Sequence, residues 1–105
     1  MSNPFDLDGL GGLMQGFQQN IQRMKAEAEA ARVEGQAGGG LVRVVATGTQ
    51  EIVSVSIAEA CMDDREMLED LIHAATNDAL RQAREVMSEK MSALTGGLPL
   101  PPGLF

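Results

Sequence analysis

Apolar residues in the first third of the chain recur at steps of three and four: Leu10, Leu13, Met14, Phe17, Ile21, Met24, Ala28 and Ala31. That is the period of a helix with one narrow apolar seam, and the remaining positions are largely Gln, Asn and charged residues. The pattern predicts a first helix from about residue 10 to about residue 33. Gly9, Gly11 and Gly12 blur its start, because each costs about 1 kcal/mol relative to Ala inside a helix.

The period then changes. Gly35-Gln-Ala-Gly-Gly-Gly40 cannot hold a helix. Beyond it, Val42, Val44 and Ala46 fall on one face of a strand, and Val53, Val55 and Ile57 do the same on a second. Thr47-Gly48-Thr49-Gln50 supplies the turn between them, with Gly48 free to take positive φ. Val33–Gln36 offers a short third strand. A bare hairpin is marginal in water, so this sheet needs helices or another sheet against it.

A second helix begins near residue 64. Asp63 and Glu66 have capping-box spacing, and Met62 with Met67 suits a hydrophobic staple. Leu68, Leu71, Ile72, Ala75, Ala79, Ala83, Val86 and Met87 line one face as far as about Leu94, before Gly96-Gly97 and Pro99 stop the helix. The tail, Leu98-Pro-Leu-Pro-Pro-Gly-Leu-Phe105, is too Pro-rich for helix or sheet and is expected to be extended. The chain therefore reads as one α+β domain, residues 1–95, followed by a Pro-rich tail, 96–105.

Composition adds a reason to look for a second subunit. Only Phe5, Phe17 and Phe105 are aromatic among 105 residues, so the core is aliphatic and thin. Two helices longer than the sheet they flank leave seams that a symmetric homodimer covers. No run of about 18 apolar residues exists, which predicts no membrane span. The start, Met-Ser-Asn-Pro-Phe-Asp, lacks the pattern of a signal peptide, and Cys61 stands alone; both fit a cytoplasmic protein.

Candidate chemistry is sparse. His73 is the only histidine, and no nucleophile–base set or metal cluster is evident, so no enzyme activity, cofactor or small-molecule substrate is expected. Cys61 reads as a small buried residue, with redox sensing as the sharper alternative. The acids at 63–70 lack the spacing of a calcium loop and suit a helix start. Gly38-Gly-Gly40 lacks the ending of a phosphate loop. The methionines read as core filler.

Three stretches together resemble the YbaB/EbfC family. Gly39-Gly-Leu-Val-Arg-Val44 is similar to its strand signature, and Asp64-Arg-Glu-Met-Leu-Glu-Asp-Leu-Ile-His-Ala-Ala-Thr-Asn-Asp-Ala79 to its most distinctive segment. Leu100-Pro-Pro-Gly103 resembles its closing motif. The resemblance implies an intertwined, tweezers-like homodimer with projecting helices. It also implies binding of double-stranded DNA with little sequence preference, at the bacterial nucleoid. Helix 1 departs from the family in having Gln, Ala and Glu where members often carry Lys.

A net charge of −7, or twice that in a dimer, opposes such a partner unless charge is segregated. It is. Residues 59–70 hold six acids against Arg65, a net of −5, while residues 9–26 contain no acid. Residues 80–94 carry a net of +1. If the helices run antiparallel, with 9–26 beside 80–94, the acid lies at the sheet and the helix tips are mildly basic and amide-rich. The candidate DNA contacts are Gln15, Gln18, Gln19, Gln22, Arg23, Lys25, Arg81, Arg84, Ser88 and Lys90. The rival expectation is an acidic dimeric chaperone or adaptor that holds a protein partner.

Overall fold

The computed structural model describes residues 7–94. Helix α1 (Leu7–Ala30) leads into strands β1 (Arg32–Ala37), β2 (Val42–Thr47) and β3 (Ile52–Ile57). A 3-10 turn (Glu59–Cys61) then precedes helix α2 (Arg65–Leu94). The strands form one antiparallel sheet in the order β1-β2-β3. The α+β reading and the third strand therefore hold. Helix α1 ends three residues earlier than its seam predicts, because Val33 is drawn into the ladder opposite Ala46. Arg32 closes that helix end, donating from Nη1 to the carbonyls of Glu29 and Ala31 at 2.7 and 3.1 Å.

One face of the sheet carries the core. Val42, Val44 and Ala46 are fully buried with Ala75 and Ala79 of α2, and Val33, Ala37, Leu68, Leu71 and Ile72 pack around them. The opposite face carries Glu34, Gln36, Arg43, Ser54 and Ser56 around the half-buried Val45. Small residues set how closely α2 lies on the sheet. A Cβ on Gly35 would collide with the backbone of Ala75 and Ala79, so the helix rests directly on β1 there. Asp78 accepts a hydrogen bond from the Gln36 amide at 3.2 Å, and Gln82 donates to the Glu34 carbonyl at 2.7 Å. The outer edge of β1 is thereby closed.

The turns follow a different logic from the one expected. Gly38, Gly39 and Gly40 all take positive φ between β1 and β2. Between β2 and β3 the residue with positive φ is Gln50, at 66°, and not Gly48. Gly48 is there for space. Its amide donates to the Ala28 carbonyl at 2.8 Å, and an added Cβ would lie 2.7 Å from that oxygen and 2.9 Å from Val86. The turn thus clasps the end of α1 against α2. Buried Thr47 braces it, its Oγ1 accepting from the amides of Thr49 and Glu51, each at 3.2 Å.

The cap of α2 is also shifted by one residue. Asp64, not Asp63, accepts from the Met67 amide at 3.1 Å, and the helix starts at Arg65. Met62 is 62% exposed, so the expected staple with Met67 does not form. Cys61 is fully buried just before the cap. The stop expected at Gly96-Gly97 and Pro99, and the tail, lie outside the described residues.

The long axis measures 76 Å and the radius of gyration is 20.0 Å, against about 13 Å for a compact domain of this length. Much apolar surface is consequently bare. Leu13, Met14 and Phe17 on α1 are 74, 57 and 52% exposed. On β3, Val53 and Val55 are about half exposed, and Ile52 and Ile57 are little less so.

Candidate nucleic-acid interface

Helix and strand rise fix the order of residues along the axis. A six-residue strand spans about 20 Å, which about 13 helical residues cross. The start of α2 is spent on that crossing, so Ala75–Gln82 lie against β1. Beyond the sheet, the C-terminal part of α2 meets α1. Glu27 accepts an ion pair from Lys90 at 3.4 Å, and Asn20, Arg23, Met24 and Glu27 border one groove with Glu89, Lys90, Ala93 and Leu94. The first half of α1 projects past the last described turn of α2.

This corrects one expectation. Residues 20–28, not 9–26, lie beside the end of α2, and Arg81 sits beside the sheet rather than at the projecting end. It pairs with Asp78, the same residue that closes the β1 edge.

The charge division along the axis is nevertheless present. Glu59, Asp63, Asp64, Glu66, Glu69 and Asp70 are all exposed where α2 begins, next to the β1–β2 turn. The connection there is fixed by the Ala58 amide donating to the Leu41 carbonyl at 2.8 Å. The β2–β3 turn and the helix pair lie at the other end of the sheet.

Partners sort the eight cations of the chain. Among the described residues, Arg43, Arg65, Arg81 and Lys90 pair with Glu34, Glu69, Asp78 and Glu27. Arg32 is spent on the end of α1. Arg23 donates to the Asn20 amide oxygen at 3.0 Å, which leaves its charge uncancelled. Lys25 and Arg84 have no ion pair among the described residues, and they line one groove of about 400 Å³ with Gly48, Thr49, Gln50 and three methionines, Met24, Met87 and Met91. Two cations over an apolar floor, beside an exposed turn, suit a phosphate better than a metal or a neutral ligand.

Of the other expected contacts, Gln15, Gln18 and Gln19 are exposed on the projecting part of α1, Gln22 is exposed where α1 runs beside α2, and Ser88 is exposed on α2. The structure joins Lys25 to Arg84, and Arg23 to Lys90, in two separate grooves. It does not bring Arg81 to either. Thr49 and Gln50, expected only as turn residues, also line the Lys25–Arg84 groove; nothing in their local pattern distinguishes them from any other turn. His73 is exposed and within hydrogen-bond reach of Asn77, 3.1 Å away. No group of three or more potential metal ligands occurs among the described residues, and no described helix is long and apolar enough to cross a membrane.

Comparison with known proteins adds two findings. Residues 3–98 match the model of the YbaB/EbfC DNA-binding family. The fold is similar to the crystal structure of an uncharacterized protein from Helicobacter pylori, with a TM-score of 0.74 at 25% identity. The match covers 87% of this chain and 96% of that one.

Proposed function

Because the chain belongs to the YbaB/EbfC DNA-binding family, whose members are nucleoid-associated, we propose that it binds double-stranded DNA as a homodimer with little sequence preference. The contact is the end where the helices leave the sheet, and the protein resides at the nucleoid, in the cytoplasm. The observation that carries this reading is the position of the uncancelled cations. Arg23, Lys25 and Arg84 lie on the helix-pair side of the sheet, while the acids of 59–70 lie at its far end. A duplex approaching the helix-pair side meets Arg23, Lys25, Arg84 and Lys90 against Glu27, Glu85 and Glu89, a net of +1, together with the α1 amides. It is held away from the acidic end, where the net is −5.

Low specificity follows from the kind of contact. Lys and Arg on phosphates fix position without reading bases, and the exposed glutamines of α1 bond equally well to phosphate oxygens or base edges. Neither an enzyme site nor a cofactor belongs to this reading.

The homodimer is supported by β3. Val55 and Ile57 stand opposite Val44 and Val42 and continue the apolar face of the sheet. Helix α2 packs on β1 and β2 and leaves β3 bare. The outer edge of β1 is closed by Asp78 and Gln82. An apolar, open edge strand invites pairing, and a second copy covers it with the same surface. The decisive experiment is an anisotropy titration of random duplex DNA across a salt series. Binding that weakens steeply with salt and varies little among sequences is expected. No binding at low salt with micromolar dimer would remove the DNA reading and leave the adaptor.

A further inference from the structure

Two grooves run between the helices, and their charges differ. Arg23 and Lys90 share one with Glu27 and Glu89, and Lys90 is already paired with Glu27. Lys25 and Arg84 line the other, which has no carboxylate among its described lining and takes Gly48, Thr49 and Gln50 from the β2–β3 turn. Both helices hold that turn in place. The Gly48 amide donates to the Ala28 carbonyl, about one helical turn from Lys25. On its other side Gly48 lies against Val86, just past Arg84 on α2.

The backbone amides of the turn have no capacity left for a ligand. Those of Thr47, Gly48 and Gln50 donate to the carbonyls of Glu51, Ala28 and Thr47. Those of Thr49 and Glu51 both donate to Thr47 Oγ1, each at 3.2 Å. One donor is nevertheless left over. A hydroxyl has a single hydrogen and two lone pairs. The two amides occupy both lone pairs of Thr47 Oγ1, so its 2.8 Å contact with Thr49 Oγ1 uses the hydrogen of Thr47. Thr49 is therefore the acceptor, and its own hydrogen has no partner among the described residues. Its side chain is exposed beside the groove. Bonds in series polarise one another, which makes this hydroxyl a stronger donor.

We propose that the Thr49 hydroxyl donates to a phosphate oxygen of double-stranded DNA whose charge Lys25 and Arg84 balance. This contact rests on the DNA reading and adds a neutral, directional bond to it. Two cations attract an anion, and an unpartnered hydroxyl hydrogen needs an acceptor oxygen. A phosphodiester supplies both, and its charge strengthens the hydrogen bond. A metal ion would be repelled by both side chains. Because the turn is clamped between the helices, little has to be ordered when the phosphate arrives.

Fluorescence anisotropy of the full chain with a random duplex, across a salt series, separates this bond from the charges. A neutral donor displaces no counterion. Thr49→Val and Thr49→Ala should therefore each weaken binding about tenfold at every salt concentration, with the log–log slope within about 0.5 of the parent. Thr49→Ser keeps the donor and should bind within about twofold of the parent. If the parent binds and the Val and Ala variants bind equally well, this contact is overturned while the DNA reading survives. A flattened slope in those variants would also overturn it, because the turn would then act only by placing Lys25 and Arg84. Equal weakening by Thr49→Ser would do the same. No binding by the parent at low salt would remove the DNA reading and this contact with it.

Discussion

If partners sort the cations as described, Arg81→Gln and Arg84→Gln should have very different effects on DNA binding, although the two residues are three positions apart on one helix. Arg81 is already neutralised by Asp78, and Arg84 has no ion pair among the described residues. With Arg23, Lys25 and Arg84 free, a homodimer offers six cations to phosphates. At about 0.9 per neutralised phosphate, the log–log slope of affinity against salt is about −5, an affinity loss of about three orders of magnitude between roughly 50 and 200 mM. Arg84→Gln removes two contacts and should flatten the slope by about 2; Lys25→Gln with Arg84→Gln should flatten it by about 4. Arg81→Gln should leave it within about 0.5 of the parent. The assay is fluorescence anisotropy with a random duplex at four or more salt concentrations. Thermal melts should confirm an unchanged fold, since such exposed substitutions usually alter stability by less than about 0.5 kcal/mol. Equal flattening by Arg81→Gln and Arg84→Gln would show that the Asp78 pair opens on DNA and refute the sorting. An unchanged slope in the double variant would place the contact elsewhere.

Other expectations concern assembly and packing. Val55→Glu puts a charge on the bare face of β3, and sedimentation velocity should show the dimer replaced by a folded monomer; a dimer of unchanged mass would move the interface off β3. Gly35→Ala drives a Cβ into the backbone of α2 and should cost at least about 3 kcal/mol, the upper end for overpacking. The midpoint of thermal unfolding, at fixed protein concentration, should then fall by about 12 °C or more, and a fall of under about 4 °C would mean the helix is not seated on β1. Asp64→Ala should cost about 1 kcal/mol in urea unfolding through loss of the α2 cap. Asp63→Ala should change stability by less than about 0.5 kcal/mol, and a reversed order would restore the capping box at Asp63.

What the linear pattern determined was the identity and order of the elements. The apolar period of three and four fixed both helices, and the alternation at Val42–Ala46 and Val53–Ile57 fixed two strands, because these periods are local geometry. The bulk segregation of charge was equally visible, since it needs only position along the chain. Three-dimensional packing decided the rest. Capping moved from Asp63 to Asp64, and positive φ from Gly48 to Gln50, because Gly48 is held by its closeness to Ala28 and Val86. Arg81 and Lys90 read as free cations in the sequence and are paired in the fold, Lys90 with a residue 63 positions away. Lys25 and Arg84 become neighbours only when α1 folds back on α2 across the sheet. Net charge is a sum over the chain, but the charge a phosphate meets depends on which carboxylates the fold brings within reach, and that is set by contacts the sequence does not display.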